Sequence, residues 1–267
     1  MATQEQAKIK LYWLEQSRAQ NILWLLEELK VPYELETFRR VNMLAPPELK
    51  KIHPLGKSPL VTVTPSGSTE PVVLAESGFI TQYLSEHFGG ETTMMPKRWK
   101  DGQEGKAGGE TEQWLRWQYY LHYVEGSLMP MLFMGMILGA LKGPRVPFFI
   151  RPITSMVVNQ VFSTLVFPNA KKQLGFLEQQ LATSGGDYLC GPELTAADVL
   201  ISFGLIEAKD KFETFGAWEK GGPKALYPKV FAYIDKLESH PGYKKSVEKI
   251  KEIDSSLGIR FSAQSRL

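Results

Sequence analysis

The sequence has a single cysteine, Cys190. A disulfide within the chain is therefore impossible, and zinc sites built from several cysteines are excluded. The chain also has no strong excess of charge of one sign, because 31 Lys and Arg residues are matched by 29 Asp and Glu residues. This near-balance argues against a dedicated nucleic-acid-binding surface, which is normally strongly basic. We therefore expect a protein of a reducing compartment without a nucleic-acid partner.

Long apolar runs are also missing. No stretch reaches the ~18 uninterrupted apolar residues of a membrane span, and the N-terminus, MATQEQAKIK, has no apolar core of the signal-peptide type. The expected location is therefore the cytoplasm. The nearest approach to a span is the stretch 128–141, which is short and contains Pro130, Gly135 and Gly139. We interpret this stretch as a buried helix, with contact to a membrane surface as the alternative.

The first 90 residues alternate between strand and helix patterns. Residues 9–13 (IKLYW) predict a short buried strand, and Ser17 then begins a helix with Gln20 at capping-box spacing. Apolar residues recur on one face of that helix, at Ile22, Leu25, Leu26 and Leu29. Residues 33–38 (YELETF) alternate and predict a second strand. A strand, a helix and a strand in this order favour a parallel pair with a right-handed crossover.

The rest of this region predicts a hairpin and a second helix. Residues 47–52 are compatible with a short helix, and two strands follow at 59–63 (PLVTV) and 71–75 (PVVLA). The turn-rich segment TPSGSTE lies between these strands, which is typical of an antiparallel hairpin. Ser77 then begins a helix that continues to about His87.

The remainder of the chain predicts helices. Residues 91–109 are rich in Gly, Lys and Glu and predict a linker with an exposed insertion, in which KDGQEGKAGGE is expected to be disordered. Two long helical stretches follow at about 110–141 and 152–181, with kinks expected at Pro130 and Pro168. A further helix begins at Thr195, where Asp198 has the spacing of a capping box.

Three local motifs carry a family resemblance. They are LYWLEQSRAQNILWLLEEL, then HPLGKSPLV followed by LAESGFITQYL, then GPELTAADVLISF. In this order, over about residues 8–250, they resemble the cytosolic glutathione transferases, most closely the fungal enzymes of the yeast type, some of which associate with the endoplasmic reticulum. The resemblance implies an α/β thioredoxin-like N-terminal domain at 1–90, a linker at 91–109 and an all-α C-terminal domain at 110–267.

The resemblance also implies a function. The expected activity is activation of the glutathione thiol for conjugation to a small apolar electrophile, with glutathione-dependent reduction of hydroperoxides as a second activity. Glutathione would be a co-substrate, no metal or other cofactor is expected, and the chain is expected to form a homodimer. Two alternatives stay open: a non-catalytic binding or assembly module, and a form associated with the membrane of the endoplasmic reticulum.

The central chemical task is to ionise the thiol of glutathione. A free cysteine thiol titrates near ~8.5, so an enzyme must stabilise the thiolate to use it at neutral pH. Ser17 is one candidate donor, because it lies where the first strand meets the N-terminus of the first helix, which favours an anion. Tyr12 is the alternative, because it falls where the Tyr-type transferases carry their catalytic tyrosine. Arg18 would add a positive field beside either donor.

The peptide part of glutathione has its own candidate residues. Ser58 and Pro59 resemble the family's cis-proline turn, which pairs with the backbone of a bound peptide. Lys57, with help from His53, would bind the glycine carboxylate.

The two remaining contacts concern the γ-glutamyl end and the second substrate. Ser77 begins a helix, so its amide and hydroxyl are placed to bind a carboxylate, while Glu76 would meet the α-ammonium group. The helix from residue 110 would provide an apolar wall for the electrophile, and the candidates on it are Trp117, Tyr120 and Tyr123.

Overall fold

The computed structural model describes residues 7–143, 146–219 and 221–259. Its first domain is built on a four-stranded sheet with the strand order β2-β1-β3-β4. The strands are β1 (Lys8–Leu14), β2 (Tyr33–Phe38), β3 (Leu60–Thr64) and β4 (Val72–Ala75). Strand β1 pairs in parallel with β2 and antiparallel with β3, and β3 pairs antiparallel with β4. The predicted parallel unit and the predicted hairpin are both confirmed.

The two faces of this sheet bury different apolar groups, because successive side chains of a strand point to opposite faces. One face packs on helices α1 (Ala19–Leu29) and α2 (Ser77–Phe88) in the main core, and β1 contributes Ile9, Leu11 and Trp13 to it. The other face holds a small cluster of Leu14, Leu49 and Leu60. Leu49 comes from a short 3-10 helix at Pro47–Lys51, where the sequence predicted a short helix.

The second domain consists of helices and connecting turns in its described residues. An α/β domain followed by an all-α domain is the predicted fold class, which is confirmed. The helices are α3 (Glu112–Tyr123), α4 (Met129–Ala140), α5 (Arg151–Val161), α6 (Phe167–Thr183), α7 (Ala196–Ala208), α8 (Gly222–Leu226), α9 (Pro228–Ser239) and α10 (Pro241–Ile253).

Two π turns interrupt the long helices where kinks were predicted. The turn Val124–Leu128 joins α3 to α4, and the turn Phe162–Val166 joins α5 to α6. In each case a proline, Pro130 or Pro168, is the second residue of the helix that follows. Proline has no N–H, and its ring clashes with the carbonyl four residues earlier in an α-helix. The wider π turn just before each proline therefore relieves a conflict that the sequence creates.

Helix α7 is the buried centre of the helical domain. The predicted capping box is present, because Thr195 and Asp198 bond each other's backbone at the start of the helix. The carboxylate of Asp198, which is fully buried, also accepts hydrogen bonds from the Leu189 N–H at 2.9 Å and from the Tyr233 hydroxyl at 2.7 Å. Burial raises the pKa of Asp198 above its ordinary range. This one side chain therefore connects α7, α9 and the preceding turn.

Helix α1 joins the two domains. Its Asn21 side chain donates to the Leu200 carbonyl at 2.7 Å and accepts from the Ser202 hydroxyl at 3.2 Å, both in α7. Its Gln20 side chain donates to the Ser246 hydroxyl of α10 at 2.8 Å. Because α1 is held on both sides, the loop before it has a fixed position relative to the helical domain.

The segment 91–109 differs from the prediction of disorder. It is closed by a bridge between Trp99 and Glu110 and contains a chain of turns in which Gly102, Gly105 and Gly108 have positive φ angles. Each turn is closed by a backbone hydrogen bond of 3.0–3.1 Å that spans three residues. The prediction was wrong because it considered only the lack of apolar burial, whereas glycine at every third position lets the backbone satisfy its own hydrogen bonds.

The network around Asp198 yields a stability prediction. In Asp198→Asn an NH2 group replaces one carboxylate oxygen. This group is a donor and faces the buried donors that the carboxylate bonds, so we expect the free energy of unfolding to fall by about 2–4 kcal/mol. Urea unfolding measures this change. The matched control is Asp101→Asn, which alters an exposed carboxylate and should leave the unfolding midpoint unchanged. Equal midpoints for the two variants would contradict the proposed importance of the network.

Candidate functional site

A cleft opens where the first domain meets the helical domain. It lies between the start of α1, the start of β3 and the point where β4 runs into α2. Seven of its ten lining residues were predicted as site residues from the sequence. The lining residues are Arg18, His53, Leu55, Lys57, Ser58, Pro59, Leu60, Ala75, Glu76 and Ser77.

Ser17 lies beside this cleft, next to Arg18 and Ser58, but it is not one of the lining residues. Its hydroxyl group is 3.3 Å from the hydroxyl oxygen of Ser58, donates to the Leu14 carbonyl at 2.7 Å and accepts from the Ala19 N–H at 3.2 Å. The side chain is buried. The predicted capping box with Gln20 is wrong, because the Gln20 side chain instead accepts from the Trp13 indole at 3.0 Å. Ser17 therefore closes the turn into α1, and its hydroxyl is adjacent to a residue that lines the cleft.

Tyr12 lies on the opposite side of the sheet from α1. Its ring is 6.4 Å from that of Phe38, and the Lys10 ammonium group is 5.1 Å from the ring centroid. It packs against the small apolar cluster that contains Leu60, which pairs with Tyr12 across β1 and β3. Tyr12 is thus next to Leu60, which lines the cleft, but like Ser17 it is not itself one of the lining residues.

The loop that carries Ser17 is held from outside. The Arg40 guanidinium donates to the carbonyls of Glu15 at 3.1 Å and of Gln16 at 2.9 Å. The Gln16 N–H donates to the Gly258 carbonyl at 2.8 Å, and Gln16 has a φ angle of 51°, which is uncommon for a residue with a side chain. These contacts keep the backbone of this loop in one conformation.

The Ser58–Pro59 peptide bond is cis, as predicted. The loop before it turns sharply at Gly56, which has a φ angle of 57° and whose N–H donates to the His53 carbonyl at 2.9 Å. The Nδ1 atom of His53 accepts from the Leu55 N–H at 3.4 Å. This turn places His53 and Lys57 on the same wall of the cleft.

Glu76 and Ser77 form the opposite wall. Glu76 alone connects β4 to α2 and has a φ angle of 71°, so the strand runs into the helix without a loop. The Ser77 hydroxyl donates to Oε1 of Glu125 at 2.6 Å, and the other oxygen of Glu125 forms an ion pair with Arg18. One carboxylate of the helical domain therefore holds two predicted site residues of the first domain.

Glu125 was not identified from the sequence. It lies in the π turn between α3 and α4, in a stretch that predicts only one long helix. The approach is close because position 78 is glycine: a Cβ atom there would come within 3.2 Å of Glu125 Cγ and 3.3 Å of the Leu121 carbonyl oxygen. The sequence did contain one signal of its role. Glu125 is followed by a long stretch without acidic residues, because the next one is Glu178.

The three aromatic residues predicted to line a second-substrate pocket are in the helical core instead. Trp117 and Tyr120 have no exposed surface, and Tyr123 is buried with its hydroxyl donating to Gln173 at 2.6 Å. Burial raises the pKa values of both tyrosines. Their prediction as pocket residues is wrong, because they lie on the face of α3 that packs within the helical domain, where a ligand in the cleft cannot reach them.

Family comparisons agree with this arrangement. The N-terminal domain family of the glutathione S-transferases matches residues 7–86, and a C-terminal domain family of the same proteins matches residues 160–249. The first match contains the four strands, α1, all but the last two residues of α2 and all the lining residues of the cleft.

Individual relatives show the same relationship over nearly the whole chain. Glutathione S-transferase 1 of Saccharomyces cerevisiae is 35% identical over 93% of this chain and 97% of its own length. A glutathione S-transferase structure from Actinobacillus pleuropneumoniae is 27% identical, with a TM-score of 0.60, and covers 97% of this chain and 96% of that one. A glutathione transferase homologue from Lodderomyces elongisporus with two glutathione molecules per subunit is 20% identical, with a TM-score of 0.61 and coverage of 91% and 98%. The chain belongs to the glutathione S-transferase family.

Proposed function

We propose that this chain activates the thiol of glutathione and transfers glutathione to small apolar electrophiles, with Ser17 as the donor to the thiolate. The observation that supports this most directly is the position of the Ser17 hydroxyl, 3.3 Å from the hydroxyl of Ser58, which lines the cleft. Helix α1 begins two residues later, so the positive end of its dipole also points toward this region.

The required stabilisation is modest. Lowering the pKa of a thiol from about 8.5 to about 6.5 requires roughly 2.7 kcal/mol of stabilisation of the thiolate relative to the thiol. A hydrogen bond to a charged acceptor contributes about 1.5–3 kcal/mol. Redirecting the Ser17 hydroxyl from the Leu14 carbonyl to a sulfur would supply part of this stabilisation, and the N-terminus of α1 would add to it.

The walls of the cleft suit the two ends of glutathione. Lys57 and His53 on one wall would bind the glycine carboxylate by charge. On the other wall, the N-terminus of α2 at Ser77 would bind the γ-glutamyl carboxylate, and Glu76 would bind the α-ammonium group. Glutathione in the Lodderomyces elongisporus homologue supports this choice of co-substrate.

Glu125 would be a positioning residue for this site. Its two oxygens hold the Ser77 hydroxyl at the start of α2 and the Arg18 guanidinium just before α1. The carboxylate also partly neutralises Arg18, so that a bound glutathione meets a site of balanced charge. Binding of glutathione would thereby depend on the helical domain as well as on the first domain.

We also propose a homodimer, on the basis of the family resemblance alone. Light scattering of the purified chain should give twice the chain mass of 30.1 kDa. A mass of one chain at all accessible concentrations would contradict this proposal without affecting the assignment of the thiolate donor.

The assignment of Ser17 predicts a loss of activity in one of three variants. We expect Ser17→Ala to raise the pKa of bound glutathione toward that of the free thiol and to lower kcat/KM at neutral pH by about 10- to 100-fold. Ser17→Thr retains a hydroxyl and should keep most of the activity, whereas Tyr12→Phe should behave like the unchanged protein. Ultraviolet absorbance of the bound thiolate against pH measures this directly.

The same titration separates the alternatives. Loss of the thiolate in Tyr12→Phe and not in Ser17→Ala would transfer the donor role to Tyr12. Glutathione that binds to the unchanged protein and remains a thiol at neutral pH would refute the catalytic proposal and favour a binding or assembly module.

The role of Glu125 predicts a separation of KM from kcat. In Glu125→Gln the amide still accepts from Ser77 but no longer pairs with the charge of Arg18, so we expect KM for glutathione to rise about 2- to 5-fold with little change in kcat. The control is Glu112→Gln, which removes an exposed charge on the same helix. Steady-state kinetics with varied glutathione makes the comparison, and an unchanged KM in Glu125→Gln would refute the positioning role.

A further inference from the structure

The chain returns to the first domain after its last helix. Residues 254–259 follow α10, and we call them the C-terminal segment. Leu257 is buried in the main core, and Ile259 lines a small cavity together with Gln20 of α1. The segment is therefore anchored by apolar side chains on both sides of Gly258.

Polar contacts tie the start of the C-terminal segment to the end of β2. The Arg39 guanidinium, directly after β2, forms an ion pair with Asp254 and donates to the Ser256 hydroxyl. The hydroxyl and N–H of Ser256, together with Arg39, hold the pKa of Asp254 at about 2. This carboxylate therefore stays charged over the whole pH range in which a thiol titrates.

Gly258 contacts the loop that carries Ser17. Its carbonyl accepts from the Gln16 N–H at 2.8 Å, and its own N–H donates to Oε2 of Glu15 at 3.5 Å. The approach is close because position 258 is glycine: a Cβ atom there would lie 2.8 Å from Nε2 and 3.2 Å from Cγ of Gln16. The C-terminal segment thus reaches the residue immediately before Ser17.

The backbone of Gln16 needs such a contact. Its φ angle of 51° lies in the left-handed region, which a residue with a side chain adopts only where its surroundings require it. Arg40 holds the Gln16 carbonyl at 2.9 Å, and Gly258 holds the Gln16 N–H. A change of this φ angle would redirect the chain at Ser17, so the position of the Ser17 hydroxyl depends on both contacts.

We propose that the C-terminal segment is a positioning element for the thiolate donor, because it holds Gln16 in the left-handed conformation that places the Ser17 hydroxyl beside Ser58. The proposal rests on the proposed function of Ser17. All of the contacts that carry it lie within one chain. It follows that residues at the far end of the sequence determine how strongly bound glutathione is ionised.

The variant Leu257→Ala tests this proposal, because it loosens the C-terminal segment without changing the cleft or the Ser17 loop. We expect the pKa of bound glutathione to rise by about 0.5–1 and kcat/KM below that pKa to fall about 3- to 10-fold. At about pH 9 the thiol is ionised in either protein, so kcat/KM should converge with that of the unchanged protein. Ultraviolet absorbance of the bound thiolate against pH and the pH profile of kcat/KM give the two readouts.

The matched control is Leu181→Ala in α6, a helix that contributes no lining residue to the cleft. Leu181 and Leu257 are similarly buried, at 8% and 6% exposure, so both variants lose core packing. Leu181→Ala should keep the pKa of bound glutathione, and any unfolded fraction should lower its activity equally at every pH. Urea unfolding shows whether both variants are folded under the assay conditions.

A second substitution tests whether the effect passes through Gln16. Glycine adopts positive φ angles about as readily as negative ones. Adding Gln16→Gly to Leu257→Ala should therefore return the pKa of bound glutathione part of the way to that of the unchanged protein. Hydrogen exchange gives an independent measure, because the Gln16 amide should exchange faster in Leu257→Ala and not in Leu181→Ala.

Three outcomes would overturn the proposal. They are an unchanged pKa of bound glutathione in Leu257→Ala, a loss of activity that is equal at every pH, and a raised pKa that Gln16→Gly does not lower. Failure of the proposed function of Ser17 would look different, since the unchanged protein itself would then leave bound glutathione with the pKa of the free thiol. Exchange of the Gln16 amide would in that case decide by itself whether the C-terminal segment holds the loop.

Discussion

The structure depends on the burial of helix α1 between the sheet of the first domain and the helices of the second. Its polar side chains have partners on both sides: Asn21 bonds to Leu200 and Ser202, and Gln20 bonds to Trp13 and Ser246. An unpaired polar group at such a buried position is costly, so these bonds specify a single docking geometry. The loop at Ser17 and Arg18, which immediately precedes α1, is therefore held at a defined distance from the helical domain. At this distance Arg18 pairs with Glu125.

The contribution of the helical domain to the cleft comes from an irregularity in a helix. Glu125 lies in the π turn that precedes Pro130, and its carboxylate reaches Ser77 and Arg18. The second π turn, before Pro168, has the same local cause but places Phe162 and Val166 in the core. A π turn before a proline thus positions a carboxylate beside the cleft in one helix and contributes core residues in the other. The residues that surround each turn determine which of these occurs.

The helix from Glu112 to Ala140 passes through three environments in turn. Trp117 and Tyr120 are enclosed in the helical core, Glu125 reaches the cleft, and the residues of α4 beyond Gly135 are largely exposed. The residue that contacts the cleft and the exposed apolar residues of α4 therefore belong to one continuous helix.

The sequence by itself determined the strands and helices of the first domain, the Ser58–Pro59 turn, the capping box at Thr195, and seven residues of the cleft, because these depend on periodicity and on motifs within short segments. It also predicted aromatic pocket residues that are core residues and disorder in a segment of closed turns. Only the tertiary structure decided which face of α3 is buried, that Gly78 admits Glu125 to the cleft, and that an apolar stretch remains exposed. Each of these depends on contacts between residues distant in the chain, and helical periodicity does not tell which apolar face another element covers.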